Sequence, residues 1–407
     1  MELAFFQVNL YSGLLLVGWV QGSVYAVLLF LRAGRERRIS DAFAASILVV
    51  SSLYVAQWMF GFAGWYDAHD WRTTCMFYVP WDQLLLLGPL IWLYFRAATN
   101  GGFRWKGSMF WHFLPAMFTV LPYLAAFGYD LVYLSGVKGQ PLNYFFGTRG
   151  PMRENSWLFG PVVASGLATA AYLQLTAYLI FTARGYRHYR NYLKEAFSDS
   201  NGRSFAGLGT LLMILVVGIV LTMLTAVYQS QYGEAAYVRE WFHHLTLSIV
   251  VFAAGIQFLQ VDGDRIAVLR YEPPRPEPSR VPPASSLSVW DLTQARMERH
   301  RDYLEPDLKL ADLAQRIAVQ DKQLSAAINA CSGLNFNDYI NGLRCAYFIG
   351  LLEREEHRQR TLLRLALDSG FNSKSTFNRA FRKCYACSPG EALAQLRSGQ
   401  SLTQKMI

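Results

Sequence analysis

Basic and amide side chains recur along one face of the segment 361–396, and such side chains suit contacts to the phosphates and base edges of DNA. Apolar residues at helical spacing, such as Phe377 and Phe381, predict two amphipathic helices. Between the helices, Gly370 can supply the positive φ of a short turn, and Ser373 can cap the second helix. The polar face of that helix carries Lys374, Asn378, Arg379, Arg382 and Lys383. The segment is therefore predicted to be a helix-turn-helix.

A second copy of this pattern lies upstream, at about 308–332, where Leu324 and Ile328 form the apolar pair of the second helix. A helix from about Asn337 to Leu352 is predicted to join the two copies. A lone basic hairpin could equally be a solvated surface feature. The repetition favours a DNA-binding domain.

The doubled motif resembles the DNA-binding domain of AraC-type transcription regulators over about Val289 to Arg397. The residues that carry the resemblance are the run 375–383, Ser388-Pro389, Asn335-Phe336, Tyr339-Ile340 and Arg344. The resemblance implies a bacterial protein. It also implies contacts to bases or phosphates from Lys322, Ser325 and Asn329 in the first unit and from Lys374, Ser375, Asn378 and Arg379 in the second.

Two positions depart from the family pattern. The first recognition helix has Ala326 and Asn329 where the family often has Arg and Lys, which predicts a weaker grip on phosphates. Ala386 stands where a Gly is usual near the end of the second unit, which predicts strain in a turn that prefers positive φ.

The chain as a whole is too apolar for an ordinary soluble regulator, since 53% of its 407 residues are hydrophobic and only 16% are charged. Seven apolar stretches of spanning length precede residue 262, and none follows it. They lie at roughly 9–31, 41–63, 78–97, 109–128, 159–183, 206–228 and 241–261. The first stretch lacks the cleavage pattern of a signal peptide, so we expect it to be a membrane span.

The connections between these stretches predict the orientation in the membrane. With the N-terminus outside, the inner connections hold 12 Lys and Arg and the outer ones hold 5. This bias places the C-terminal domain in the cytoplasm, beneath a bacterial inner membrane. The predicted fold is all-α, with a seven-helix transmembrane bundle (1–262), a Pro-rich linker (263–287), a double helix-turn-helix domain (288–398) and a short tail (399–407).

The net charge of the chain is only weak evidence for DNA binding. The chain carries a formal charge of +9, but residues 285–407 hold 17 basic and 13 acidic residues, so much of the excess lies in the inner connections beside anionic lipid. The expected partners are double-stranded DNA and the lipid bilayer. The helix at about 288–304 would either cap the domain or form a homodimer contact.

Several polar residues fall inside the predicted bundle near its outer end: Gln57, Asp82, Gln229, His243 and His244. Ionisable groups at membrane depth usually face a cavity or a partner. One interpretation is that they anchor the spans at the interface or pair with each other. The other is an outward-opening pocket for a small extracellular or lipid-soluble signal, with Asp82 close to the two histidines.

Other classes of protein are less well matched. The last span has no lysine for a retinal Schiff base, and the chain has no nucleotide-binding Gly loop or phosphoacceptor His box of a sensor kinase. Cys384 and Cys387 form a lone C-x-x-C at the end of a recognition helix, which does not predict a metal or redox site. We therefore expect no enzyme, no catalytic residues, no metal and no cofactor. The alternative is a seven-span transporter or membrane enzyme whose tail only resembles a DNA binder.

Overall fold

The computed structural model of the chain describes residues 7–68, 70–140, 150–198, 237–260 and 283–400, with shorter pieces between 209 and 224 and at 402 and 404. In these residues the backbone is helical apart from loops and isolated bridges, such as the one between Phe197 and Lys309. Two compact units form. The first contains Met1–Tyr186 and Gly207–Glu272, and the second contains Arg187–Ala206 and Pro273–Ile407.

The first unit is built from long apolar helices and two short ones, Trp71–Met76 and Pro151–Asn155. These are α1 (Leu10–Glu36), α2 (Ile39–Phe62), α3 (Trp71–Met76), α4 (Leu84–Ala98), α5 (Leu114–Phe127), α6 (Pro151–Asn155), most of α7 (Pro161–Ala196) and α8 (Tyr237–Leu259). Short 3-10 helices lie at Trp65–Ala68, Gly107–Phe113 and Trp157–Phe159, and a π-helix, Gly128–Val137, continues α5.

Five helical segments of the described chain are long and apolar enough to cross a membrane: Leu10–Glu36, Ile39–Phe62, Gly107–Val137, Pro161–Ala196 and Glu240–Leu259. The third predicted span is shorter than expected, because its helix α4 has only 15 residues. Residues 77–83 before α4 are not helical, and Pro80 among them has no amide N–H for a helical hydrogen bond. The stretch 206–228 lies mostly outside the described residues, as do Gln229 and most of the linker.

Close packing joins α1, α2 and α8. A Cβ atom at Gly18 on α1 would lie only 1.8 Å from Ser248 Oγ on α8, so this crossing requires a residue without a side chain. At the predicted cytoplasmic end, the Arg32 Nε lies 2.6 Å from Asp41 Oδ2 on α2. The same guanidinium donates to the carbonyl oxygens of Phe258 and Leu259 at the end of α8. It thereby satisfies carbonyls that the helix itself leaves unpaired.

The second unit contains seven α-helices in its described residues besides the end of α7. They are α9 (Pro283–His300), α10 (Leu310–Arg316), α11 (Asp321–Ser332), α12 (Phe336–Glu353), α13 (Leu362–Asp368), α14 (Lys374–Tyr385) and α15 (Pro389–Arg397), with 3-10 helices at Asp302–Leu304 and Glu356–Arg358. The pairs α10–α11 and α13–α14 coincide with the two predicted helix-turn-helix units, and α12 is the predicted linking helix.

Each helix-turn-helix has its own apolar core, and α12 contributes to both. Its first half places Phe336, Tyr339 and Ile340 in the core of the first unit. Its second half places Phe348 and Leu352 in the core of the second unit, beside the rings of α14. Because one helix belongs to both cores, the two recognition helices, α11 and α14, are held in a fixed relation to each other.

Candidate nucleic-acid interface

The second recognition helix, α14, has the features that its sequence predicts. The Ser373 hydroxyl accepts a hydrogen bond from the Thr376 amide at 3.2 Å, which caps the N-terminus. Phe377, Phe381 and Cys384 are buried on the inner face. The outer face exposes all six predicted contact residues: Lys374, Ser375, Asn378, Arg379, Arg382 and Lys383. A capped helix with one basic face can enter the major groove with its N-terminal end.

Next to this face lies a recess of about 410 Å³, lined by Ser375, Asn378, Arg379, Arg382, Ser388 and Pro389. The last two residues begin α15, whose N-cap Ser388 accepts from the Glu391 amide at 3.2 Å. Two guanidinium groups beside a helix N-terminus favour an anion, and DNA supplies phosphates. The Ser388 amide and hydroxyl and the nearby Arg382 also hold the pKa of Glu391 below its ordinary value, so this carboxyl is charged at neutral pH.

The first recognition helix, α11, offers a less basic surface. Lys322 and Asn329 are exposed, and Ser325 is half-buried. Lys322 is the single basic residue in α11, against four in α14. The weaker phosphate grip predicted from Ala326 and Asn329 stays a prediction.

Lys383 has a partner that the sequence did not indicate. Its Nζ lies 2.7 Å from Asp338 Oδ2 on the linking helix, and Asp338 is mostly buried. This ion pair fastens the C-terminal part of α14 to α12. In the structure, Lys383 therefore contacts α12, whereas Arg379 and Arg382 line the recess.

The two turns differ in how they accommodate positive φ. Gly370, in the second unit, has a φ of 89°, and a Cβ there would lie 2.7 Å from the Tyr303 carbonyl oxygen. The positive φ predicted for Gly370 is thus confirmed, and the close approach of the Tyr303 carbonyl is a second reason for Gly at this turn. At the end of α14, Ala386 has a φ of 59°, which confirms the predicted left-handed turn at a residue with a side chain.

Arg344 on α12 is completely buried, although the sequence marked it only through the family resemblance. Its Nε donates to the Tyr303 carbonyl at 2.6 Å, and its Nη2 donates to the Glu305 carbonyl at 2.6 Å. The guanidinium also lies over the Phe371 ring, next to the turn at Gly370. Arg344 therefore holds the linking helix, the loop before α10 and the second turn together.

A two-residue segment after α7 docks on the linking helix, and sequence reasoning missed it. The amide of Ser198 donates to the Leu308 carbonyl at 3.2 Å, and the Ser198 carbonyl accepts from Asn337 Nδ2 at 2.6 Å. Asn341 Nδ2 and Arg344 Nη2 also reach Ser198, at 3.3 and 3.1 Å. In the sequence, only Asn337 and Asn341, one turn apart on α12, could have indicated this docking, since buried amides require hydrogen-bond partners.

Among the predicted sensor residues, Gln57 and Asp82 line one cavity of about 440 Å³ in the first unit. Neither histidine lines it. The His244 ring stacks on Tyr54 and Trp58, with centroid distances of 5.0 and 4.9 Å, and these two rings do line the cavity. His244 Nδ1 lies 2.8 Å from the carbonyl oxygen of Glu240, one turn away on α8. The histidines thus support the cavity wall, and Gln229 lies outside the described residues.

Comparison with known proteins supports the assignment of the C-terminal part. Residues 313–395 match a family described as a helix-turn-helix domain. The chain is also similar to the HTH-type transcriptional regulator CdhR of Pseudomonas aeruginosa, with 31% identity over 156 residues. This match covers 37% of the chain and 44% of that regulator's length. No solved structure matches the chain. Residues 313–395 therefore match a helix-turn-helix domain, and the similarity supports a DNA-binding transcription regulator.

Proposed function

We propose that the chain is a membrane-anchored, one-component transcription regulator of a bacterial inner membrane. In this proposal a seven-span bundle with its N-terminus outside responds to a small-molecule or lipid-soluble signal, and the Pro-rich linker carries the double helix-turn-helix domain in the cytoplasm. The observation that carries the proposal is the capped, basic helix α14, which exposes Arg379 and Arg382 beside a second recognition helix on the same rigid support.

Exposed apolar side chains support the membrane anchor. On α1, Leu10, Val17 and Leu31 are between 56% and 71% exposed, and on α5 Phe118 is 65% exposed. Continuous apolar surface of this kind on long helices is unfavourable in water and suited to lipid. The excess of Lys and Arg in the predicted inner connections supports the cytoplasmic placement of the DNA-binding domain.

The proposed DNA contacts divide into two groups. Arg379, Arg382 and Lys374 would bind phosphates or guanine, and Asn378 and Ser375 would reach base edges from the N-terminal part of α14. Lys322, Ser325 and Asn329 would make the corresponding contacts in an adjacent stretch of the major groove. Lys383 would help to hold α14 against α12 through its ion pair with Asp338.

The test is binding of the full chain, in lipid nanodiscs, to promoter DNA identified by crosslinking in cells. We expect affinity to fall tenfold or more between about 50 and 200 mM salt, because several phosphates are neutralised. Arg382→Ala should weaken binding and reduce the salt dependence. Arg397→Ala is the matched control, since it removes one exposed cation at the far end of α15.

A transporter or membrane enzyme with a tail that only resembles a DNA binder predicts a different result. Its tail would bind DNA weakly, with equal loss in Arg382→Ala and Arg397→Ala, and crosslinking would enrich no promoter. Such an outcome would remove the regulator proposal.

A further inference from the structure

The 440 Å³ cavity of the first unit is walled by aromatic rings. Six of them line it: Tyr54, Trp58, Tyr66, Phe77, Trp81 and Tyr123. They come from α2, the following 3-10 helix, the loop before α4, and α5. A cavity of this volume suits a small molecule, since ligand pockets in proteins span about 300 to 1,000 Å³.

The rings are held in place by contacts behind them. The Trp81 indole N–H donates to the Met76 carbonyl at 3.1 Å, and the Tyr66 ring stacks on Phe77 with centroids 5.5 Å apart. Tyr54 and Trp58 are backed by the His244 ring. The cavity is therefore formed before any ligand enters, which lowers the entropic cost of binding.

One carboxyl group lines this aromatic enclosure. Asp82 is exposed, and its Oδ1 accepts a hydrogen bond from the Leu84 amide at 3.2 Å. Gln57 contributes a side-chain amide, and the described lining residues include no Lys, Arg or His. The faces of aromatic rings carry negative potential, so rings and carboxylate together favour a positive ligand.

We propose that this cavity binds a small organic cation whose positive centre is covered by carbon groups, such as a quaternary or tertiary ammonium compound. Aromatic enclosures recognise such cations because they offer many weak attractive faces and no strong hydrogen-bond requirement. A metal ion would need several oxygen ligands, usually carboxylates and carbonyls, whereas the described lining supplies one carboxylate and one side-chain amide beside tyrosine hydroxyls. The inference names the signal class of the proposed sensor and rests on that proposal.

Choline is the probe, and its neutral isostere, in which a tert-butyl group replaces the trimethylammonium, is the matched comparison. Binding to the full chain in phosphatidylglycerol nanodiscs can be followed by calorimetry. We expect choline to bind at least about tenfold more tightly than the isostere, because the two differ only in charge. Equal affinities, or no choline binding at millimolar concentration, would overturn the proposal.

Substitutions locate the site. Asp82→Asn should weaken choline binding about tenfold or more and leave the isostere unchanged. Tyr123→Leu should also weaken choline binding by removing one ring. Glu154→Gln, which neutralises an exposed carboxylate that does not line the cavity, should change nothing. Choline binding that survives both Asp82→Asn and Tyr123→Leu in correctly inserted protein would contradict this site.

The same chemistry could come from a free solute or from a lipid headgroup. If the natural ligand is a lipid headgroup, nanodiscs of phosphatidylcholine should block the binding of added choline. If the natural ligand is a free solute, choline should still bind in these nanodiscs. Both results support a site for an organic cation. DNA binding is measured on the same samples. Loss of choline binding with intact DNA binding removes only this inference, whereas choline binding without DNA binding removes the regulator proposal and leaves the cation site.

Discussion

Ala386 ends the second recognition helix in a left-handed conformation, with a φ of 59°, where the first unit has Gly333 at a φ of 70°. The side chain of a non-glycine residue makes this conformation costly. We predict that Ala386→Gly raises the free energy of unfolding of the DNA-binding domain by about 0.5 to 1 kcal/mol. Urea denaturation would measure it.

The control for this change is Ala394→Gly in α15, an exposed position inside a helix. There the same substitution should lower stability by about 1 kcal/mol, since glycine is a poor helix former. If Ala386→Gly were as destabilising as Ala394→Gly, the conformation at residue 386 would differ from the one described.

At the scale of elements, the two recognition helices are expected to contribute unequally to affinity. Arg379 lies in the recess beside α15, whereas α11 presents Lys322 as its single basic residue. We predict that Arg379→Ala costs about 1 to 3 kcal/mol of DNA-binding free energy and Lys322→Ala less. Fluorescence anisotropy at one fixed salt concentration would measure both, and a larger loss for Lys322→Ala would reverse this order.

These elements could be predicted because their signals are local. Apolar spacing, the Ser373 cap and Gly370 lie within a few residues of the structure they specify, so the bounds of α13 and α14 follow from the sequence. The aromatic cavity could not be predicted in the same way. Its walls come from positions as far apart as Tyr54 and Tyr123, and only tertiary packing brings them together. The shortened α4 was missed because hydropathy alone does not register the helix-breaking effect of Pro80.

At the scale of the whole molecule, the DNA-binding unit is discontinuous in sequence. Residues 187–206 belong to it, and the unit resumes at Pro273 after the 66 residues of the segment Gly207–Glu272. Phe197 and Ser198 are almost fully buried in it. The chain therefore enters this unit twice, once at the end of α7 and once through the linker, and a fragment that starts at residue 285 lacks the first segment.

The buried partners of that segment determine what the shorter fragment should lose. Without the segment, Asn337 Nδ2 loses the carbonyl oxygens of Phe197 and Ser198 as acceptors, whereas Asn341 Nδ2 keeps Asn337 Oδ1 and Arg344 Nη2 keeps the Glu305 carbonyl. A buried polar group left unsatisfied costs about 1 to 3 kcal/mol. We compare the fragment 285–407 with the same fragment carrying residues 187–206 fused to its N-terminus through a flexible linker. We predict that the bare fragment melts several degrees lower, since about 1 kcal/mol shifts Tm by roughly 4 °C in a domain of this size. Differential scanning calorimetry measures the difference.

A fused segment carrying Phe197→Ala is the control, because it keeps the added length and removes the buried ring. Its Tm should fall back toward that of the bare fragment. Equal melting temperatures for all three proteins would mean that the segment after α7 adds no stability to the domain that binds DNA.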